Sequence, residues 1–253
     1  MSDAFVVYKL GGPALEDPDL LAPLAAEIVR ANARVAIVHG GGRRVDRMLA
    51  ALGIESRRVS GRRETSAEAM DVVEMVLSGV INKAVAAGLM RAGVPAIGLS
   101  GRDGGLIRAR LELGLGRVGI PTSVSTAPLL ALWEAGFTPV VSPVSGGPWG
   151  EAVNVNADEA ALAIARALKA RSLVYLSDVD GVRVGAATLA SLDAAEAERR
   201  IADGTIADGM ALKVRAALDA AAFGIGEVVV AGKARLTGSF AGTRLVSAPE
   251  VNA

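Results

Sequence analysis

Residues 35–46 read Val35-Ala36-Ile37-Val38-His39-Gly40-Gly41-Gly42-Arg43-Arg44-Val45-Asp46. Four apolar residues in a row predict a strand buried on both faces. Three glycines then stop it, and helical spacing follows over residues 46–52, ending at Gly53. Each glycine costs backbone entropy, so packing alone explains three of them poorly. They suit a chain that bends sharply and turns N–H groups towards an anion at a helix N-terminus. A tight strand-to-helix turn is the plainer explanation of the same residues. The spacing is neither that of a Walker A loop nor that of GxGxxG.

The same grammar recurs on both sides of this stretch. An apolar run at residues 5–8 stops at Gly11-Gly12, and helical spacing follows over 18–31. Residues 66–91 predict a long helix with a break near Gly79. Short strands are predicted at 96–99, 138–141, 173–176 and 227–230, and further helices at 129–135, 158–170 and 210–223. Strand, glycine turn and helix in repetition predict an α/β fold, a mostly parallel sheet with helices on both faces. Ligands bind such sheets at the C-terminal ends of the strands. Residues 111–118 suggest a hairpin, and 142–153, with three glycines and two prolines, a loop. A fresh strand–turn unit at 173–178 suggests two lobes, 1–168 and 169–253.

Composition removes several chemistries. The 253 residues hold 27 Lys+Arg against 27 Asp+Glu, which argues against a generally basic nucleic-acid binder. There is no cysteine, so disulfides, thiolate catalysis and cysteine-held metals are excluded. One histidine is too few for a multi-histidine metal site, and His39 reads more readily as a structural hydrogen-bonding residue than as a catalyst. Aromatics at 3% give no base-stacking platform. No stretch offers about 20 uninterrupted apolar residues, and the N-terminus has no leader pattern. A cytoplasmic protein without a membrane partner is expected.

The polar motifs sit at predicted strand ends. Lys9-Leu10-Gly11-Gly12 combines a cation with two glycines that let backbone donors approach a phosphate. Arg57, Arg58, Arg62 and Arg63 form a basic cluster before the long helix, fit for an anion or merely a solvated charge run. Asn154, Asn156 and Asp158 share one side of an extended stretch, where they can hold a polar ligand or cap the next helix. Lys213 is expected on the first turn of its helix, where the helix dipole disfavours a cation unless a ligand needs it. The chain prefers arginine, with lysine only at Lys9, Lys83, Lys169, Lys213 and Lys233. A compact ammonium fits between phosphates where a guanidinium fork does not.

Taken in order along nearly the whole chain, these motifs resemble the amino-acid kinase family. The resemblance rests on residues 9–12, 39–42, 61–65, Asn82-Lys83, 98–104, 154–158, 176–179 and 208–213. It is greatest to the branch that phosphorylates the side-chain carboxylate of N-acetyl-L-glutamate with ATP, in arginine biosynthesis. It implies a three-layer αβα sandwich whose N-terminal lobe holds the amino acid and whose C-terminal lobe holds ATP. It implies Lys9 and Lys213 as stabilisers of the transferring phosphoryl group, with Asp158 orienting them. Arg63 and Asn154 would grip the substrate α-carboxylate, with Asn156, Gly41 and Gly42 also at the substrate. Gly11 and Gly12 would be donors to ATP phosphates, and Ser177, Asp178, Val179, Gly181, Gly209 and Met210 would form the nucleotide pocket. Mg²⁺ is expected on ATP's phosphates, with no protein metal site. Arg62 and Glu64 depart from the apolar residues more usual in the family, and Arg43 and Arg44 add charge after the glycines. Only about four residues precede the first strand, so the N-terminal helix of arginine-inhibited relatives is not expected, and a homodimer with weak or no arginine feedback is.

Two other functions fit the same motifs. One is a sister kinase acting on 2-aminoadipate or glutamate attached to a small acidic carrier protein, which the arginine cluster would dock. The other is a non-catalytic amino-acid or nucleotide sensor, since fold does not fix function.

Overall fold

A computed structural model describes residues 4–17, 19–59, 61–185, 187–237 and 242–246. In chain order the first half holds β1 (Phe5–Leu10), α1 (Gly12–Leu15), α2 (Leu21–Arg30), β2 (Arg34–His39), α3 (Gly42–Ala51), β3 (Arg58–Val59), β4 (Arg62–Arg63) and α4 (Ala67–Glu74). A π-helical segment, Met75–Ile81, joins α4 to α5 (Asn82–Arg91). Then come β5 (Ala96–Ser100), β6 (Ile107–Leu111), β7 (Val118–Val124), α6 (Ala127–Glu134), β8 (Thr138–Ser142), β9 (Val144–Gly146) and β10 (Ala152–Val155). The remainder is α7 (Ala157–Ala167), β11 (Ser172–Leu176), β12 (Arg183–Val184), β13 (Ala187–Thr188), β14 (Ser191–Asp193), α8 (Ala194–Ala202), α9 (Asp208–Ala222), β15 (Glu227–Ala231) and β16 (Thr243–Val246).

Eight strands form one sheet in the order β14-β16-β15-β11-β1-β2-β8-β5, parallel throughout except for β15 with β16. Each inner strand is apolar on both faces because each face has its own core. Alternation along β1 sends Val7 into a core shared with α6, α7 and α9, and Val6, Tyr8 and Leu10 into a core shared with α2 to α5. The architecture is the expected αβα sandwich. The boundary expected near residue 169 falls between α7 and β11, and the sheet runs unbroken across it through β1–β11 pairing.

Several expectations need adjustment. Helix α3 starts at Gly42, four residues earlier than its apolar spacing suggests, because the third glycine is already its first residue. The break near Gly79 is the π-helical segment, and Ser66 caps the run, its Oγ accepting from Ala69 N–H at 3.0 Å. The expected hairpin is β6–β7, and residues 142–153 hold β9 and the start of β10 instead of only a loop. These four strands close into a small barrel, β10-β7-β6-β9, in which Asn154 of β10 pairs with β7 on one side and β9 on the other. Lys213 is the sixth residue of α9, one turn deeper than expected, so the dipole argument does not apply to it. The hairpin β3–β4, β12 to β14, α8 and β16 were not foreseen; most are too short to show a period. The run Ala67–Arg91 is long and apolar enough to cross a membrane, but 56% of its most apolar window is buried in this fold, as in a core helix.

At the centre of the sheet His39 is fully buried. Its Nδ1 lies 2.9 Å from Gly40 O, and its Nε2 lies 3.1 Å from Asn82 Nδ2, which also donates to Val140 O at 2.8 Å. The arrangement suits the neutral tautomer with the proton on Nδ1. Burial pushes the imidazole pKa down to about 4 from 6.5, with the charge of Lys83 adding to the fall and the Gly40 hydrogen bond opposing it. Between these values the unfolded chain binds a proton that the folded chain does not, so stability rises with pH across that window and falls as acid is added. Full protonation costs about 3 kcal/mol. Urea denaturation near neutrality and near pH ~4.5 is expected to show a larger acid loss for the native chain than for His39→Asn. An equal loss in both would contradict the buried neutral histidine.

Candidate active site

From β1 the chain steps to one side through β2, β8 and β5, and from β11 to the other through β15 and β16. The sheet therefore divides between β1 and β11, where parallel sheets open a crevice at their C-terminal ends. Lys9 lies at the end of β1, the triple glycine follows β2, Pro143 follows β8, and Ser177 follows β11. A cleft there is lined by Lys9, Gly12, Gly40 to Gly42, Arg62, Arg63, Asn154, Asn156 and Asp158 among others.

Its floor is an ion pair. Lys9 Nζ lies 2.6 Å from Asp158 Oδ1, with side chains only 9% and 21% exposed. Asp158 sits in the first turn of α7, where the helix dipole favours a carboxylate. Asn156 caps this helix, its Oδ1 accepting from Asp158 N–H at 2.8 Å, so its carbonyl oxygen is already in use. Lys213 donates to Ser177 Oγ at 2.6 Å, and Ser177 Oγ in turn donates to Asp178 Oδ1 at 2.9 Å. Burial, then the charge of Lys9, lowers the Lys213 pKa, while Asp158 and Asp178 oppose that fall. Lys213, Ser177 and Asp178 do not line the cleft itself; they flank it on the β11 side.

Gly12 and Gly42 are the first residues of their helices, so their N–H groups have no intrahelical partner. A Cβ at Gly12 would meet nothing within 4 Å, so packing does not require glycine there. Gly41 is different. Its φ of 151° and its contact with Ile81 and Leu77 leave no room for a side chain. The N–H of Gly11 is spent on Leu176 O at 3.0 Å, which corrects its expected part as a phosphate donor. Gly11 instead ties the end of β1 to β11.

On the far wall Arg63 is buried. It holds Asp46 Oδ1 at 2.5 Å and donates to Gly42 O at 3.1 Å. Partial burial pushes the Asp46 carboxyl up, but Arg63 and Arg58 outweigh it and hold it below the usual carboxylate range. Asn154 donates to Thr65 Oγ1 at 3.0 Å, which fixes its amide beside Arg63. The basic cluster is compensated within the chain: Arg57 pairs with Glu64, Arg58 and Arg63 with Asp46, and Arg62 with Glu159. Val179 and Gly181 follow Ser177, and a Cβ at Gly181 would press on Thr188 and Thr243. Gly209 and Met210 lie in the first turn of α9. Sequence reasoning missed Asp46, Val118 and Pro143, which come from three separate segments and carry no local motif.

This constellation has counterparts. The profile described as amino acid kinase family matches residues 4–232. Acetylglutamate kinase of Rubrobacter xylanophilus is 45% identical over 244 residues, covering 94% of this chain and 93% of that one. Acetylglutamate kinase of Ruegeria pomeroyi is 43% identical, covering 90% and 81%. Among solved structures, smu.665 from Streptococcus mutans superposes with a TM-score of 0.84 at 24% identity, covering 98% of this chain and all of that one, a likeness of fold. With the profile spanning residues 4–232 and relatives above 40% identical along nine-tenths of its length, the chain belongs to the amino acid kinase family.

Proposed function

We propose that this chain transfers the γ-phosphoryl group of ATP to the side-chain carboxylate of N-acetyl-L-glutamate, a step of arginine biosynthesis. The observation that carries the proposal is one cleft holding the Lys9–Asp158 pair and, on its opposite wall, Arg63 with Asn154. The relatives named acetylglutamate kinase agree with it. The internal pairing of all four arginines of the basic cluster counts against a carrier-protein substrate.

The chemistry suits these residues. A glutamyl carboxylate, with a reference pKa near 4.3, is ionised at neutral pH and needs no general base. A carboxylate oxygen forms a bond to the γ-phosphorus as the bond to the β–γ bridging oxygen breaks and ADP leaves. The protein positions the two anions and offsets their charge. Lys9 faces the transferring group from β1 and Lys213 from α9, while Asp158 holds Lys9 in place. The N–H groups of Gly12, Gly41 and Gly42 serve phosphate and substrate. Arg63 has donors left after Asp46, Ser56 and Gly42, and with Asn154 it takes the α-carboxylate. In this assignment residues 1–168 hold the amino acid and 169–253 the nucleotide, through Ser177, Asp178, Val179, Gly181, Gly209 and Met210. Mg²⁺ supplies charge neutralisation on the phosphates and travels with ATP; among the described residues no three acidic or histidine side chains converge to hold a metal.

We further propose a cytoplasmic homodimer. Strand β5 is an edge of the sheet, and its exposed Ile97 adjoins the helical run that exposes Met75 and Val80. A second copy packing on this edge would cover all three. Light scattering is expected to give twice the chain mass in the native protein and a lower mass in Met75→Glu/Ile97→Glu; a native monomer would refute the dimer.

An ADP-release assay with ATP–Mg²⁺ against N-acetylglutamate, glutamate, N-acetyl-2-aminoadipate and N-acetylaspartate tests the reaction. N-acetylglutamate should be preferred. Lys9→Ala should lower kcat by at least about 100-fold with little change in the KM for ATP. Arg63→Ala should chiefly raise the KM for N-acetylglutamate. Silence across the panel would refute the reaction, and a raised ATP KM in Arg63→Ala would refute the placement of the two substrates.

A further inference from the structure

Strand β4 is only two residues long, and successive side chains on a strand point opposite ways. Arg63 turns towards α3, where it holds Asp46 and the Gly42 carbonyl. Arg62 turns towards α7, where its Nη2 pairs with Glu159. Both arginines line the cleft. The two-residue strand therefore bridges the walls, and its α7 anchor is the residue next to Asp158.

The Arg62–Glu159 pair is half-buried, with side chains 29% and 28% exposed. The contact runs from Arg62 Nη2 to Glu159 Oε1, while the buried Arg62 Nε and Glu159 Oε2 have no hydrogen-bond partner among the described residues. Each side chain depends on the other, so removing one leaves a desolvated charge unpaired. The brace therefore acts as a unit.

We propose that Arg62 and Glu159 are positioning residues that set which length of acyl amino acid the cleft accepts. This rests on the reaction proposed above. A substrate held at its α-carboxylate by Arg63 must present its side-chain carboxylate beside Lys9. The distance it spans is fixed by where β4 stands relative to the start of α7. Arg62–Glu159 ties those two elements directly, whereas Arg63–Asp46 ties β4 only to α3. One methylene is worth about 10- to 200-fold in a rigid pocket, and a loosened brace forfeits part of that.

The test measures kcat/KM for N-acetylglutamate and for the homologue one methylene longer, N-acetyl-2-aminoadipate. It compares the native chain, Arg62→Met, Glu159→Gln and the exchange Arg62→Glu/Glu159→Arg. Thermal melting confirms that each is folded, and the KM for ATP serves as the unaffected control. Arg62→Met should raise the KM for N-acetylglutamate and lower the selectivity ratio by about fivefold or more, with Glu159→Gln changing both in the same direction. The exchange should recover most of the ratio. A merely structural pair would lower the melting temperature without moving the ratio, and that result overturns the inference. So does an exchange variant that folds and recovers nothing. A native chain that turns over N-acetylglutamate, beside an Arg62→Met variant of unchanged selectivity, would sink the brace alone. A native chain inactive on N-acetylglutamate would sink the proposed reaction and the brace with it.

Discussion

The contact between Lys9 and Asp158 joins the two halves of the molecule. Lys9 belongs to β1, the strand at which the sheet divides, and Asp158 opens α7, the helix that leads into β11 on the other side. A pair this little exposed survives only if both partners are held in place, because either one alone would be a desolvated charge. The sheet holds Lys9 through pairing on both sides, to β2 and to β11. The Asn156 cap and the helix dipole hold Asp158. The glycine turns then bring free N–H groups to the same edge.

The surrounding groups follow from that pair. Lys213 reaches the same region from α9 and feels the charge of Lys9, which with burial lowers its pKa. Ser177 Oγ accepts from it and passes a hydrogen bond on to Asp178. On the other wall Asp46 anchors Arg63 and Arg58, so the hairpin β3–β4 is held to α3 as well as to α7. Cations thus surround the cleft, and a bonded partner fixes the direction of each: Asp158 for Lys9, Asp46 for Arg58 and Arg63, Glu159 for Arg62, and the Ser177 hydroxyl for Lys213. Such preorganised charge is what phosphoryl transfer between two anions requires.

Much of this was legible in the sequence. Continuous apolar strands ending in glycine gave the αβα layers, because burial on both faces removes the alternation of a half-exposed strand. Lys9 and the triple glycine were found because each sits at a predicted strand end, and Arg63 and the 154–158 run because polar residues gather just before or at the start of a predicted helix; the structure brings all of them to one cleft. What was hidden has physical reasons. Strand β9, with three residues, and the hairpin β3–β4, with two residues in each strand, are too short to show a period. Asp46 looks like any helical carboxylate until the fold places it against Arg63. Gly11 matched the motif, but only the β1–β11 register shows that its N–H is already taken. His39 stood beside the glycines and is turned into the core, where it supports the turn.

The most direct test of the central idea, that charge and position replace a general base, is the pH dependence of kcat with saturating ATP–Mg²⁺ and N-acetylglutamate. The only histidine is buried with a pKa near 4, and the acceptor carboxylate is ionised well below neutrality. The expected profile is level from about pH 6 through neutrality and falls only on the alkaline side, as a catalytic ammonium with a lowered pKa loses its proton. A rising limb with a midpoint near neutrality would show that a base must be deprotonated for turnover, and would contradict this mechanism.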